Sequence, residues 1–389
     1  MRGMIAARAG RAALLALLVW AAGARAAERV VAVGDVHGAY EQFVKVLQEA
    51  AVLDQNLAWT GGKTVLVQTG DILDRGPRSR DVMDLLMTLV EKARAQGGEV
   101  RPLLGNHETM VMSGDLRYVA PQEFQAFATP ESEKIREKEY ENYLKYRRQR
   151  SAKTRKTMPG GSETKQVWMD SHPLGFFEFR LGFAPQGKYG KWLRTLDAVT
   201  QVDETVFLHG GLGPQLKFRN LQEINEKVRR DLETFDKAWA RLAQRGAIWQ
   251  YHTMEEAQMD AKVELRAQQS GGGNLDPDLV TFLSLGNLIF AAPDGPLWYR
   301  GYAQMDEKEM APKVEQVLKH YKVKYMVTGH TIPATKRITP RFDGRVFLID
   351  TGMLPSAFQG RASALEIAAG QFKSIYVGEP PQPLVANGK

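Results

Sequence analysis

The chain has 389 residues, 43% of them hydrophobic and 25% charged, enough to bury a large core as one big domain or two ordinary ones. It contains no cysteine, which excludes disulfides, thiolate metal sites, a cysteine nucleophile and a lipid-modified N-terminal cysteine. The net charge of +7 includes four arginines (Arg2, Arg8, Arg11, Arg25) in an acid-free stretch of 26 residues; without them it falls to +3, too mild to argue for a nucleic-acid partner.

In chain order, that first stretch reads as a targeting segment. Arg2, Arg8 and Arg11 precede the apolar run Ala12 to Ala22, and Ala24-Arg25-Ala26 offers a small-x-small cleavage site, so residues 1–26 are expected to be a signal peptide. The apolar run is about half the ~20 residues a spanning helix needs. No later run approaches that length and the mean hydropathy is −0.34, so an exported chain, periplasmic or secreted, with no stable membrane span is expected.

From residue 29 short β-branched runs alternate with helical patterns. Residues 29–33 predict a strand, and 42–51 a helix with Phe43, Val46, Leu47 and Ala50 on one face. Residues 63–68 predict a second strand, 79–96 a helix with Val82, Leu85, Leu86 and Leu89 inward, and 99–104 a third strand. This βαβαβ alternation implies a sheet covered by helices. Residues 117–200 are polar, charged and interrupted by Pro159-Gly160-Gly161; they are expected to form an insertion beside the active face, leaving 27–389 as one domain. Within it, seven of the twelve residues from Lys145 to Lys156 are Lys or Arg, which reads as a solvated helix face or mobile loop, with docking of acidic or phosphorylated substrates as the alternative. Further strands are expected at 204–208, 324–328, 345–349, 364–368 and 372–377, and helices at 219–245 and 305–321.

The first three strands each run into a cluster rich in glycine and in hard-metal ligands: Gly34-Asp35-Val36-His37-Gly38, Gly70-Asp71-Ile72-Leu73-Asp74-Arg75-Gly76, and Gly105-Asn106-His107-Glu108. Two later strands end in Leu208-His209-Gly210-Gly211 and Thr328-Gly329-His330-Thr331. Open α/β sheets place their ligands at such strand ends. Asp35, Asp71, Asp74, Asn106, His37, His107, His209 and His330 together suit two ions of Mn, Fe or Zn held by imidazole and carboxylate. Two such ions about 3.5–4 Å apart would share a hydroxide and clamp both oxygens of an in-line displacement at phosphorus. Glu108 is expected to fix loop geometry rather than touch metal, and Asp350-Thr351-Gly352 to cap the strand before it. His172, His252 and His320 lack any such context and are expected to be ordinary surface or helix residues.

The three clusters match verbatim the GDxHG, GDxxDRG and GNHE signatures of the calcineurin-like metallophosphatases, and within them the chain resembles the PPP family of protein phosphatases. Trp59-Thr60-Gly61-Gly62, Gly114-Asp115-Leu116-Arg117-Tyr118 and the stretch from Asp294 to Tyr302 look like the Shewanella-like, bacterial-like branch, so that the resemblance spans about residues 29–355. It implies an α/β (αββα) fold, a two-sheet β-sandwich flanked by helices, and metal-dependent hydrolysis of phosphomonoesters on phosphoprotein or phosphopeptide substrates. It implies that Asp35 and His37 hold the first metal, that Asp71 bridges, and that Asn106, His209 and His330 complete the second. His107 would be the general acid, oriented by Asp74, while Arg75 and Arg300 would grip the phosphoryl oxygens. For Arg300 the competing reading is an arginine merely stacked on a Trp298-Tyr299 wall.

The chain departs from the eukaryotic PPP pattern at Leu104, where those members carry arginine, and at Asp350-Thr351-Gly352-Met353, where they carry a cysteine-containing signature. Ile332 stands where many diesterases of the superfamily have a further metal-binding histidine, which favours the phosphatase side. Two rival functions remain open at this level. One is hydrolysis of dinucleoside polyphosphates or nucleotides; the other is a non-catalytic exported protein that holds phosphorylated ligands, in which at least one metal ligand would be expected to be lost.

Overall fold

Residues along each central strand alternate between two apolar environments, and that alternation sets the layers. The computed structural model describes residues 27–154, 164–272 and 274–384; the expected targeting segment, Pro159-Gly160-Gly161 and the end of the basic run lie outside them. The strands are β1 (Arg29–Val33), β2 (Val65–Gln68), β3 (Glu99–Pro102), β4 (Val199–Val202), β5 (Thr205–Leu208), β6 (Tyr325–Thr328), β7 (Thr339–Arg341), β8 (Val346–Leu348), β9 (Ser363–Ala368), β10 (Gln371–Tyr376) and β11 (Glu379–Leu384). They form a six-stranded sheet ordered β11-β10-β9-β1-β2-β3 and a five-stranded sheet ordered β4-β5-β6-β8-β7. Within them β1, β2 and β3 are mutually parallel, as are β5, β6 and β8.

Val30, Ala32, Val65 and Val67 of the first sheet pack with Phe207, Val327 and Phe347 of the second, so these faces meet as the filling of a sandwich. The alternate residues Val31, Val33 and Leu66 face outward with Phe43, Val46, Leu47, Val82, Leu86 and Leu89 in a second core. Those apolar side chains come from α1 (Tyr40–Glu49) and α2 (Ser79–Ala95), which cover the first sheet. Together with the corresponding helices over the other sheet this is the αββα sandwich that the motifs imply.

The remaining helices are α3 (Asn106–Met112), α4 (Pro121–Phe127), α5 (Ser132–Thr154), α6 (Lys165–Ser171), α7 (Phe176–Phe183), α8 (Lys188–Leu193), α9 (Leu221–Gln244), α10 (Met254–Ser270), α11 (Pro277–Leu283), α12 (Gly301–Gln304), α13 (Glu307–Tyr321) and α14 (Pro355–Phe358). The start of α9 is fixed by Asn220, whose side chain accepts the Glu223 N–H, and its Ile224, Val228, Leu232 and Phe235 form one buried stripe. Asp306 caps α13 in the same way, through the Lys308 and Glu309 amides.

The insertion is more ordered than its composition indicates. Helices α4 to α8 take up most of the described residues between 121 and 193, and Tyr143, Tyr146, Trp168, Phe176, Phe177 and Trp249 make an aromatic core of their own. Residues 199–202, at the end of the expected insertion, instead form β4, which pairs with β5 across a tight turn at Asp203. The basic run is not all solvated: the Arg150 side chain has no exposed surface and lies 3.4 Å from Asp260 and 3.5 Å from Glu264. His172 and His252, expected as ordinary surface or helix residues, are buried in this aromatic core. Among the described residues no helix is long and apolar enough to cross a membrane.

Candidate active site

The parallel strands of both sheets end at one cleft, and the loops that leave them carry the polar clusters. Asp35 and His37 follow β1, Asp71, Asp74 and Arg75 follow β2, Asn106 and His107 open α3 just beyond β3, and His209 and His330 follow β5 and β6. Asp35, His37, Asp71, Arg75, His107, Arg300, His330 and Asp350 line a cleft of about 310 Å³. The sheets approach closely here: a Cβ on Gly34 would stand 2.6 Å from the Ile349 carbonyl oxygen. One on Gly105 would stand 2.2 Å from an Asp71 carboxylate oxygen, so only glycine lets the third loop reach the second.

Glu108 ties these loops together. Its carboxylate accepts the Asp71, Ile72, Leu73 and Gly105 amides at 2.8, 2.8, 3.1 and 2.7 Å. That is the loop-fixing part expected of it. The tight turns also force His37, Asp71, Asp74, Arg75 and His330 into left-handed backbone, with φ between 48° and 71°. Such conformations cost about 1–3 kcal/mol each and persist only where the surroundings impose them.

Around Asp71 the side-chain nitrogens and oxygens of four residues converge. His209 Nε2 lies 2.8 Å from Asn106 Oδ1, 2.9 Å from His330 Nδ1 and 3.2 Å from Asp71 Oδ2. The outer nitrogens are already engaged, His209 Nδ1 with the Thr69 carbonyl at 3.0 Å and His330 Nε2 with the Trp298 carbonyl at 3.1 Å. A carbonyl accepts, so those nitrogens carry hydrogens, and in the neutral rings the inner ones present lone pairs. Asn106 Nδ2 points to the Met110 sulfur, which leaves Oδ1 facing inward. Four acceptors facing one another repel unless a cation lies among them, so these residues fit a metal ion.

On the other side of Asp71, His37 Nδ1 donates to the Leu73 carbonyl at 2.8 Å and its Nε2 faces Asp71 Oδ2 at 3.6 Å. Asp35 accepts the His330 amide at 3.0 Å and touches Asp350. Donor atoms of His37, Asp71 and His107 lie within 4.8 Å of one another, as do those of Asp71, His209 and His330, so that Asp71 is common to both groups. Burial holds the His37 pKa down at about 3 and that of His330 at about 2, which keeps both rings neutral and able to ligate.

His107 differs from the other rings. Burial opposes its charge, but the Asp71 carboxylate and the hydrogen bond with Asp74 outweigh that and raise its pKa. Its Nδ1 lies 2.6 Å from Asp74 Oδ2, which turns Nε2 toward the cleft, 3.9 Å from Asp71. Arg75 is exposed at the rim, its guanidinium 4.4 Å from the Tyr118 ring centroid and 5.3 Å from that of Phe358. Arg300 is likewise exposed in the cleft lining, where it donates to the His330 carbonyl at 2.7 Å and to Thr331 at 2.9 Å. Tyr302 is buried under this loop and Trp298 hydrogen-bonds the Phe290 carbonyl, so both pack rather than face substrate.

Of the expected site residues, Asp35, His37, Asp71, Arg75, His107, Arg300 and His330 line the cleft, Asp74, Asn106 and His209 are buried in contact with them, and Asp350 joins the lining. That residue had been read as a strand cap, yet it is buried beside Asp35. The signal was available in the sequence, because Asp350-Thr351-Gly352 ends an apolar strand in the same manner as the other clusters. Phe358 gave no such signal.

A helix-flanked double sheet with paired lone-pair clusters and an acid–histidine pair at its strand ends defines a metal-dependent phosphoester hydrolase. The calcineurin-like phosphoesterase family model matches residues 28–333, and the chain belongs to that family. It is 24% identical over 328 residues to Shewanella-like protein phosphatase 1 of Plasmodium berghei, covering 84% of this chain and 67% of that one. To Shewanella-like protein phosphatase 2 of Arabidopsis thaliana it is 31% identical over 217 residues, about half of each chain (52% and 51%). The cold-active protein-tyrosine phosphatase of a psychrophilic Shewanella species shares the fold at a TM-score of 0.59 and 21% identity, over 92% of this chain and 80% of that one.

Proposed function

We propose that the protein is a phosphomonoesterase acting on phosphoproteins or phosphopeptides, with Asp35, His37 and Asp71 holding one ion of Mn, Fe or Zn, and Asp71, Asn106, His209 and His330 a second. The observation that carries this reading is the pairing of the convergence at His209 with the Asp74–His107 couple across the same cleft. Bound ions would supply an activated water and offset the charge that builds up on the phosphoryl group. The chain's own residues supply the rest. Arg75 and Arg300, both in the cleft lining, bind the non-bridging oxygens and orient the ester for in-line attack. Asp74 keeps His107 charged through Nδ1, and the Nε2 proton is delivered to the departing alcohol or phenol oxygen. The relatives that carry the phosphatase name support a phosphorylated side chain as substrate.

Export is proposed on the first 26 residues. Cleavage after Ala26 would turn the Ala27 N–H, which lies 3.1 Å from Asp203 Oδ2, into an ammonium beside a carboxylate. The deciding experiment is an activity panel on the purified chain supplied with Mn, Fe or Zn, comparing p-nitrophenyl phosphate, phosphoserine, phosphothreonine and phosphotyrosine peptides, and a dinucleoside tetraphosphate. Metal-dependent release of phosphate from the aryl ester and at least one peptide is expected. No turnover with any metal would sink the reading, and a strong preference for the dinucleotide would replace it with the nucleotide-hydrolase one.

A further inference from the structure

The C-terminal end of α3, the end away from Asn106 and His107, forms one wall of a second cavity, about 400 Å³ in volume, between α3, α7 and α9. It shares no lining residue with the catalytic cleft. Its walls are largely apolar: Val111 and Met112 of α3, Phe183 of α7, and Phe235 and Trp239 of α9, whose rings lie 5.9 Å apart. Small-molecule pockets span about 300–1,000 Å³ and combine such walls with a few polar anchors. Leu181, Ala240, Gln244 and Gln250 of the lining are exposed, so the cavity is open to solvent. We propose that it binds a small aromatic carboxylate, the ring among these side chains and the carboxylate on Arg180.

Arg180 is the anchor because it is short of an acceptor. It is half-buried in the lining, its guanidinium 5.6 Å from the Trp239 ring centroid. Among the described residues none accepts a hydrogen bond from that guanidinium, and its Nη1 is shielded from solvent as well. Packing fixes this nitrogen: a Cβ on Gly114 would stand 3.0 Å from it. The acids that act in this region are engaged elsewhere. Asp236, which lines the cavity, holds Arg194 through two hydrogen bonds at 2.7 and 2.8 Å. Glu256 accepts the Thr253 amide and hydroxyl, each at 2.8 Å, at the start of α10. Burial accordingly pulls the Arg180 pKa down to about 10. A charged donor without an acceptor is costly inside a protein, and a planar guanidinium matches both oxygens of a carboxylate. One guanidinium suits a monoanion; a phosphate dianion would leave a charge uncompensated against these apolar walls. The rings of Phe235 and Trp239 favour an aromatic body.

The test is calorimetric titration of the full chain at neutral pH with phenylbutyrate and with its uncharged counterpart phenylbutanamide. Saturable one-to-one binding of the acid is expected, about tenfold or more tighter than that of the amide, which is the discrimination a charge-assisted hydrogen bond supplies. Arg180→Met keeps an apolar stem against Trp239 and should bind acid and amide equally. Ala240→Trp, at an exposed position of the lining, should block both ligands. Should Arg180→Met fail to fold, the acid and the amide compared on the wild type and on Ala240→Trp decide. No saturable binding of the acid, or equal affinities for acid and amide on the wild type, would overturn the proposal and leave water as the acceptor for Arg180. Binding of the acid that survives Ala240→Trp, or a preference for it that survives Arg180→Met, would place the ligand elsewhere and overturn it too.

Discussion

His107 uses its two ring nitrogens differently. Nδ1 is committed to Asp74, and Nε2 faces the cleft near Asp71, at a distance that suits either a proton donor or a metal ligand. The Asp71 carboxylate and the hydrogen bond with Asp74 behind the ring raise its pKa against burial, which favours the proton donor. His107→Asn should therefore lower kcat about 10²- to 10⁴-fold while the variant still binds two ions by elemental analysis. Loss of an ion would show that Nε2 is a ligand and that the acid is another group. At this scale the sequence was informative about identity and silent about conformation. Glycine-flanked Asp and His at strand ends could be picked out, but nothing in the letters showed that His37, Asp71, Asp74, Arg75 and His330 would adopt left-handed backbone. That strain is imposed by contacts such as the four amides on Glu108, which come from residues 3 to 37 positions away.

Elements with one strong period were legible. The expected strand at 29–33 is β1, and the expected helices at 79–96 and 219–245 are α2 and α9 to within a residue or two at each end, since each carries a continuous apolar face. The missed strands have physical reasons. Both β7, with Pro340, and β11, with Pro380, Pro381 and Pro383, contain prolines that argue against a strand, and both lie at sheet edges where a missing amide donor is tolerated. In the insertion, charge on α5 concealed the aromatic side that packs on Trp168. His172 stacks on that ring at 4.1 Å, and burial lowers its pKa to about 4. His252 is lowered to about 3, first by burial and then by Arg150 and Arg180, with Asp260 3.8 Å away. A histidine with a depressed folded pKa is protonated more readily in the unfolded chain, so stability falls as pH drops below about 6.5. By about pH 4 the two should cost about 3 kcal/mol each. Hydrogen exchange of peptides covering α6 and the start of α10 should accelerate between pH 6.5 and 4 in the wild type and markedly less in the His172→Phe/His252→Phe double variant. If both proteins respond alike, other groups govern the acid sensitivity of this region.

Across the whole molecule, the seam between the sheets and the metal centre coincide. Loops of the first sheet carry Asp35, His37, Asp71 and Asn106 to the cleft and loops of the second carry His209, His330 and Asp350, so an ion held by Asp71 and His209 would be bonded to both halves. Without ions the seam at this end is held by the His209–Thr69 and His330–Asp35 hydrogen bonds, against the repulsion of buried carboxylates and facing imidazole lone pairs. Ligands that bind only the folded state stabilise it by mass action, about 2.7 kcal/mol per site at a free concentration one hundred times Kd. For two sites, at a little over ~1 °C per kcal/mol for a domain of this size, chelation should lower Tm by about 5–10 °C, and Mn²⁺ or Zn²⁺ should restore it. The size of the shift should also depend on which half is disabled. His209→Ala removes one of the two second-sheet histidines around the second ion and should abolish most of the metal-dependent gain, because an ion left on Asp35, His37 and Asp71 is held by the first sheet alone. His37→Ala alters only the first sheet and should retain the second ion and a substantial part of the gain. Equal melting temperatures with and without chelator in the wild type would mean that the two sheets are joined by packing alone and that the convergence at Asp71 contributes nothing to holding them together.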